Sequence, residues 1–455
     1  MRYAPHFNIE WGIAMNRTLI YLGFLGLLQP AGAFGAGQVD IGEPGPLVET
    51  YKHLHAHPEL SHSEANTSAM VADELRKAGY TVTDHVGVYP DGSKAYGVVG
   101  ILKNGPGPML LIRGDMDALP IVEETGVDYA SHVRAKNMAG LDTGVMHACG
   151  HDVHTTALIG AARALARAKS QWHGTLMMVA QPSEETVDGA KAMLADHLYE
   201  RFGTPDMVIG LHDTNRRAAG SLTIASGPIY ASLTSIDVVI KGIGGHGSAP
   251  HKGRDPIVLS ALFIAQLQTI VSREEDPRDP SVVTVGSIHG GTKRNIIPDE
   301  VKLELTVRTY SAAARQIVID GVRQIAQGIG TSAGLSADKM PVVTVLENEA
   351  AAPLVNDPGL TAKVKGLLVE EFGADKVTDQ TPIMGSEDVG EFALDGKIPI
   401  TYWGLGAMNA EKFAAAQKAG KDLPGTHTSH FEPDPRPTLE TGVKSITAVA
   451  LGLLK

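Results

Sequence analysis

The chain is short of cysteine and of positive charge. One Cys in 455 residues excludes an internal disulfide. Lys and Arg number 39 against 51 Asp and Glu, a formal net charge of −12, and no basic patch or aromatic-interleaved basic run stands out, which argues against a nucleic-acid partner. The apolar run near the N-terminus, Leu19 to Leu28, is too short to cross a bilayer. It follows Arg17 and precedes Pro30 and the small residues 31–36, the layout of a secretory signal over residues 1–36 with cleavage near 33–36. Met15 would make a more usual signal start than Met1. The expectation is therefore a periplasmic or secreted protein with no stable membrane anchor after cleavage. Export would leave an unpaired thiol at risk unless it is buried or metal-bound. Hydrophobic residues at 43% and charged residues at 20% are ordinary for a soluble globular protein, and the length calls for two or three domains.

What is present is concentrated in a few places. Met146 to His154 (MHACGHDVH) holds the only Cys and three of the eighteen His. Cys149 and His151 flank Gly150, whose backbone bends with no side chain in the way, so both can point at one cation. Further on lie Gln181-Pro182-Ser183-Glu184-Glu185, Gly210-Leu211-His212-Asp213 and His427-Thr428-Ser429-His430-Phe431. The first two follow apolar runs that read as buried strands, which puts acids and imidazoles at strand ends, where open α/β sheets build their sites. One thiol, several imidazoles and two carboxylates suit zinc, manganese, nickel or cobalt better than calcium or magnesium. Asp115 and Asp117, one residue apart after the run Met109 to Arg113, project to the same side of an extended segment, and either can face a metal or orient a ligand. His53, His55, His57 and His62 fall on a helix and its exit and read as surface or capping residues.

The rhythm of the chain suggests α/β architecture. Val98 to Leu102 and Met109 to Arg113 read as paired strands joined by the turn 103–108, and Thr155 to Ala168 reads as an alanine-rich helix. Residues 235–346 switch to β-α-β-β-α-β, the pattern of a ferredoxin-like unit. The expectation is a helix-flanked mixed-sheet catalytic domain (37–228 and 348–455) interrupted by a smaller ferredoxin-like α+β domain (229–347). Within that insert, glycines around His246 let it project from a tight loop towards a ligand held by another domain.

The motifs GDMDALPI (114–121), MHACGHDVH, QPSEE, GLH, GGHGSAPH (244–251), RNIIPDEV (294–301), MGSEDVGEF (384–392) and HTSHF together resemble the aminoacylase and carboxypeptidase family of two-metal hydrolases. The similarity is greatest to the branch with hippurate hydrolase and the indoleacetyl-amino-acid amidohydrolases. The resemblance implies two divalent ions per subunit on Cys149, His151, Glu185, His212 and His427, with Glu184 as general base and Asp117 as a supporting acid. It also implies His246 assisting the substrate carbonyl, often from a partner subunit, Asn295 and Arg308 as candidates for holding a substrate carboxylate, and the insert as a dimerisation module. The chain departs from that branch at Asp213, where an apolar residue followed by Trp-Pro is commoner, and at Thr428-Ser429, where Ser-Pro is commoner.

The reading that follows is a metal-dependent amidohydrolase acting on small N-acyl amino acids, with a dipeptidase or carboxypeptidase on short peptides as the alternative. A non-catalytic solute receptor would be expected to have lost Glu184 or a ligand, and all are present. A closed structural zinc site does not suit a lone Cys beside a free carboxylate base.

Overall fold

The computed structural model describes residues 39–455; the signal-like segment lies outside them. An eight-stranded mixed sheet forms the centre of the larger part, in the spatial order 81–88, 94–104, 174–181, 109–115, 207–218, 400–408, 222–223 and 377–378. Strands Gly174–Gln181, Met109–Asp115, Met207–Ala218 and Ile400–Met408 run parallel to one another. Parallel strands are covered on both faces, and so read as continuous apolar runs. Leu110 and Ile112 point into one core with helices Gly45–Ala56, Ala65–Lys77, His151–Arg167, Pro358–Phe372 and Pro435–Leu453. Leu111, one residue out of phase, points into the other core with Met193, Leu198 and Phe392.

The pairing expected between Val98–Leu102 and Met109–Arg113 does not occur. Strand Gly174–Gln181 lies between them, antiparallel to one and parallel to the other. Residues 110–112 are fully buried, which demands a neighbour on each side. The loop 105–108 is long enough to cross one strand, about 10 Å. Gly107 makes the crossing possible, because a Cβ there would lie 2.9 Å from Gly174 Cα.

Residues 233–351 carry a four-stranded antiparallel sheet in the order 281–290, 300–309, 233–241 and 342–351. Alternate residues of strand Leu233–Lys241 (Ile236, Val238, Ile240) pack on Phe263 and Leu267 of helix Pro256–Thr269 and on Val318, Val322 and Ile325 of helix Ala312–Ser332. The far side of helix Pro256–Thr269 leaves Ile257, Val258 and Leu262 exposed at 44–56%.

Candidate metal-dependent active site

Three of the central parallel strands bring their chemistry to one end of the sheet. Asp115 pairs in register with Gln181 and Arg113 with Gly210, so Asp117, the Glu184-Glu185 pair and His212 emerge side by side. The turn after Gln181 is unusual: Ser183 takes a left-handed φ of 54°. A non-glycine residue holds that conformation at a cost of about 1–3 kcal/mol, and only with surrounding support. Glu64 accepts the Ser183 N–H at 2.8 Å, and Tyr89 meets the Ser183 hydroxyl at 2.6 Å. The next two N–H groups, of Glu184 and Glu185, each donate to Asp117 at 3.0 Å, and Ser61 adds its hydroxyl at 2.6 Å. Asp117 therefore aims both glutamates.

Gly150 sits at φ 82°, and a Cβ there would fall 2.3 Å from Asp213 Oδ2. That bend places Cys149 on one side and starts helix His151–Arg167 on the other. Cys149 Sγ lies 3.5 Å from His212 Nε2 and 3.2 Å from His427 Nε2, and His427 Nε2 lies 3.5 Å from Glu185 Oε2. Ligands sharing a tetrahedral ion at 2.0–2.3 Å are about 3.3–3.8 Å apart, so the spacing suits a common cation. His212 Nδ1 donates to the Asp213 carbonyl at 2.7 Å, which leaves Nε2 free to ligate. His151 Nε2 is 3.8 Å from Glu184 Oε2 and 3.9 Å from Glu185 Oε1. His427 reaches the cluster from its own loop at φ 63°, its N–H donating to the Ala148 carbonyl at 2.7 Å.

The residues fit a pair of divalent ions. His151 is fully buried, yet its Nε2 is in no hydrogen bond, and Glu185 Oε1 has no partner either. Buried polar atoms left without partners are rare, and here they converge on one spot. The charge balance agrees. Burial, reinforced by Glu387 and Glu185, pushes the Glu184 carboxyl well above the ordinary range. Burial likewise raises Glu185 to about 7, and raises the Cys149 thiol with the help of the Glu185 charge. Cations bound among these groups would favour their ionised forms.

All five expected ligands and Glu184 are brought together. Cys149, Glu184, Glu185, His212 and His427 line a cavity of about 660 Å³, with His151 buried behind them and Arg308 in the wall, 2.8 Å from Ser386 Oγ. His246 and Asn295 are not part of that cavity. They are exposed neighbours on a short ribbon, Gly245–His246 paired with Ile296–Ile297, where Gly247 N–H donates to the Asn295 carbonyl.

Sequence reasoning missed a layer of support beneath the site. Arg113, buried in its strand, contacts Asp115 at 2.5 Å, Glu387 at 2.8 Å and Asp388 at 3.1 Å. Asp115 turns its other oxygen to His154 Nδ1 at 2.6 Å, and His154 Nε2 accepts the Asp213 N–H at 2.9 Å. His154 thus braces the backbone beside His212. The available signal was the SED run at 386–388, whose acids had no assigned role. His55 requires a correction: it is buried, 2.7 Å from Asp152 and 3.0 Å from Glu123, and is neither a surface nor a capping residue. With Leu47, Tyr51 and Leu54 it occupies the buried stripe of its helix.

With this geometry, similarity to known proteins becomes informative. Residues 111–434 match peptidase family M20/M25/M40. The chain belongs to that family. A thermostable carboxypeptidase of Saccharolobus solfataricus is 34% identical over 369 residues, covering 80% of this chain and 87% of the relative. The hippurate hydrolase of Campylobacter jejuni subsp. jejuni is 35% identical over 350 residues, covering 76% and 85%. A solved dinuclear metal-binding M20 peptidase from Bacillus subtilis superposes with a TM-score of 0.72 at 26% identity, covering 90% of this chain and 98% of the other. M20 membership and the clustered ligands make this chain a metal-dependent hydrolase of amide or peptide bonds.

Proposed function

We propose that the enzyme hydrolyses the amide bond of small N-acyl amino acids. The observation that carries this reading is the convergence of Cys149, His151, Glu185, His212 and His427 around a free carboxylate, Glu184, with Arg308 in the cavity wall. Divalent ions held by those five side chains would acidify water and polarise the scissile carbonyl. Glu184 stands beside the ligands, its N–H fixed by Asp117, and it takes the water's proton and returns it to the leaving nitrogen. Arg308, a half-buried guanidinium, presents a fork to the substrate's carboxylate. Manganese, zinc, nickel and cobalt are the candidate metals, on the mixed sulfur, nitrogen and oxygen donor set.

His246 and Asn295 are exposed and do not line this chain's own cavity, so we assign them to the cavity of a second subunit. The exposed Ile257, Val258 and Leu262 on helix Pro256–Thr269 and the edge strand Ser281–Gly290 support a homo-oligomer built through residues 229–347. Export to the periplasm or medium is the remaining proposal, supported by the layout of residues 1–36.

A panel of hippurate, N-acetyl amino acids and dipeptides with each added metal tests the reading. Faster hydrolysis of the N-acyl amino acids is the expected result. A dipeptide preference would move the enzyme to the peptidase alternative, in line with the carboxypeptidase relative. Turnover of none would sink the proposal.

A further inference from the structure

Strand Met207–Ala218 does not end its contribution at His212. Asn215, Arg216 and Arg217 continue along the wall of the catalytic cavity, which Arg308 also lines. Among the described residues, neither Arg216 nor Arg217 has a carboxylate within salt-bridge distance; Arg217 donates only to the Arg216 carbonyl at 3.0 Å. Arg308 contacts only the Ser386 hydroxyl. Elsewhere arginines are commonly paired: Arg113 with three acids, Arg134 with Asp142 and Arg315 with Glu347. Asp379, an acid on the cavity wall, is taken up by Lys365 at 2.6 Å. An adjoining cavity shares Arg216 and Arg217 and adds Lys421 together with one acid, Asp422.

Three arginines without carboxylate partners on the wall of one cavity are notable in a chain with a net charge of −12. A single substrate carboxylate occupies one guanidinium fork, and Arg308 supplies it. Two forks are left over. They lie on strand Met207–Ala218, three and four residues beyond Asp213.

We infer that the substrate carries two carboxylates, one held by Arg308 and the other at the Arg216–Arg217 stretch of the cavity wall. Its class is an N-acylated acidic amino acid or the amide of a dicarboxylic acid with an amino acid. This inference rests on the amide-hydrolase reading above and names the substrate class for that site.

Two substrate pairs, each differing by one charge, test it. N-acetylglutamate against N-acetylglutamine places the second charge on the amino acid, and N-succinylglycine against N-butanoylglycine places it on the acyl group. The expected result is a kcat/KM ratio of about tenfold or more for the dianion in one pair, shrinking as salt is added. In the double variant Arg216→Gln, Arg217→Gln the ratio falls to near one, with the far-ultraviolet dichroism checking that the variant is folded. A ratio near one in the wild type for both pairs, or a ratio that survives in the double variant, overturns the inference while leaving the amidase reading intact. If no amide is cleaved, that reading fails, and calorimetric binding of succinate against butyrate still decides this one. An advantage for succinate of about tenfold that the double variant loses supports it, and equal affinities overturn it.

Discussion

Asp117→Asn isolates the residue that fixes the Glu184–Glu185 backbone. Both Asp117 oxygens meet donors only: Oδ1 takes the Glu184 N–H and lies 3.3 Å from His151 Nδ1, and Oδ2 takes the Glu185 N–H and the Ser61 hydroxyl. Burial alone would push this carboxyl up, but His151, Ser61 and the Glu185 N–H outweigh it and hold Asp117 below the usual aspartate range. Asparagine keeps the shape and exchanges one oxygen for an NH2 donor. Whichever way the amide turns, one buried backbone N–H loses its acceptor, at about 1–3 kcal/mol. The loss of negative charge beside His151 also weakens metal binding, by roughly 10–100-fold for a group that orients a ligand. Urea unfolding of the metal-free protein reads the first effect, and competitive chelator titration reads the second. Unchanged unfolding together with unchanged metal affinity would refute the reasoning.

Other substitutions follow from the same geometry. Glu184→Gln is expected to lower kcat by roughly 10²–10⁴-fold while metal content by elemental analysis stays at the wild-type level; full activity would remove Glu184 as base. Gly150→Ala meets a left-handed backbone and the Asp213 carboxylate, so it should destabilise by about 2 kcal/mol or more in urea and loosen the metals; a neutral outcome would mean the Gly150 bend is dispensable. His55 lies between Asp152 and Glu123, whose charges outweigh burial and raise its pKa from 6.5 to about 9. Because the folded value is the higher one, its contribution of about 3 kcal/mol is complete below pH 6.5 and is lost as pH rises through 9. The pH dependence of unfolding in His55→Gln should be flatter over that window, and parallel curves for variant and wild type would contradict the pairing.

How much of this could be read from the chain depended on distance along it. Cys149 and His151 flank a glycine, and Glu184 and Glu185 follow a strand, so local chemistry exposed them. The ferredoxin-like pattern was legible because its strands alternate cleanly, as in Ile236, Val238 and Ile240. Strand order was not, since nothing local says that residues 174–181 slip between 94–104 and 109–115. His55 was misread although its position on the Leu47, Tyr51, Leu54 stripe marked it as buried; its partner Asp152 lies 97 residues away. The Arg113 network was equally out of reach, because Glu387 is 274 residues from the guanidinium it neutralises. Charge partners at such separations leave no periodic trace in a sequence.

The central claim is that five side chains hold two ions on which hydrolysis depends. Its most direct test counts metal per chain by elemental analysis while the same sample is assayed on an N-acyl amino acid, before chelation, after it, and after metal is restored. The account expects about two equivalents, loss of both metal and turnover in chelator, and joint recovery. Undiminished hydrolysis by chelated, metal-free protein would contradict it.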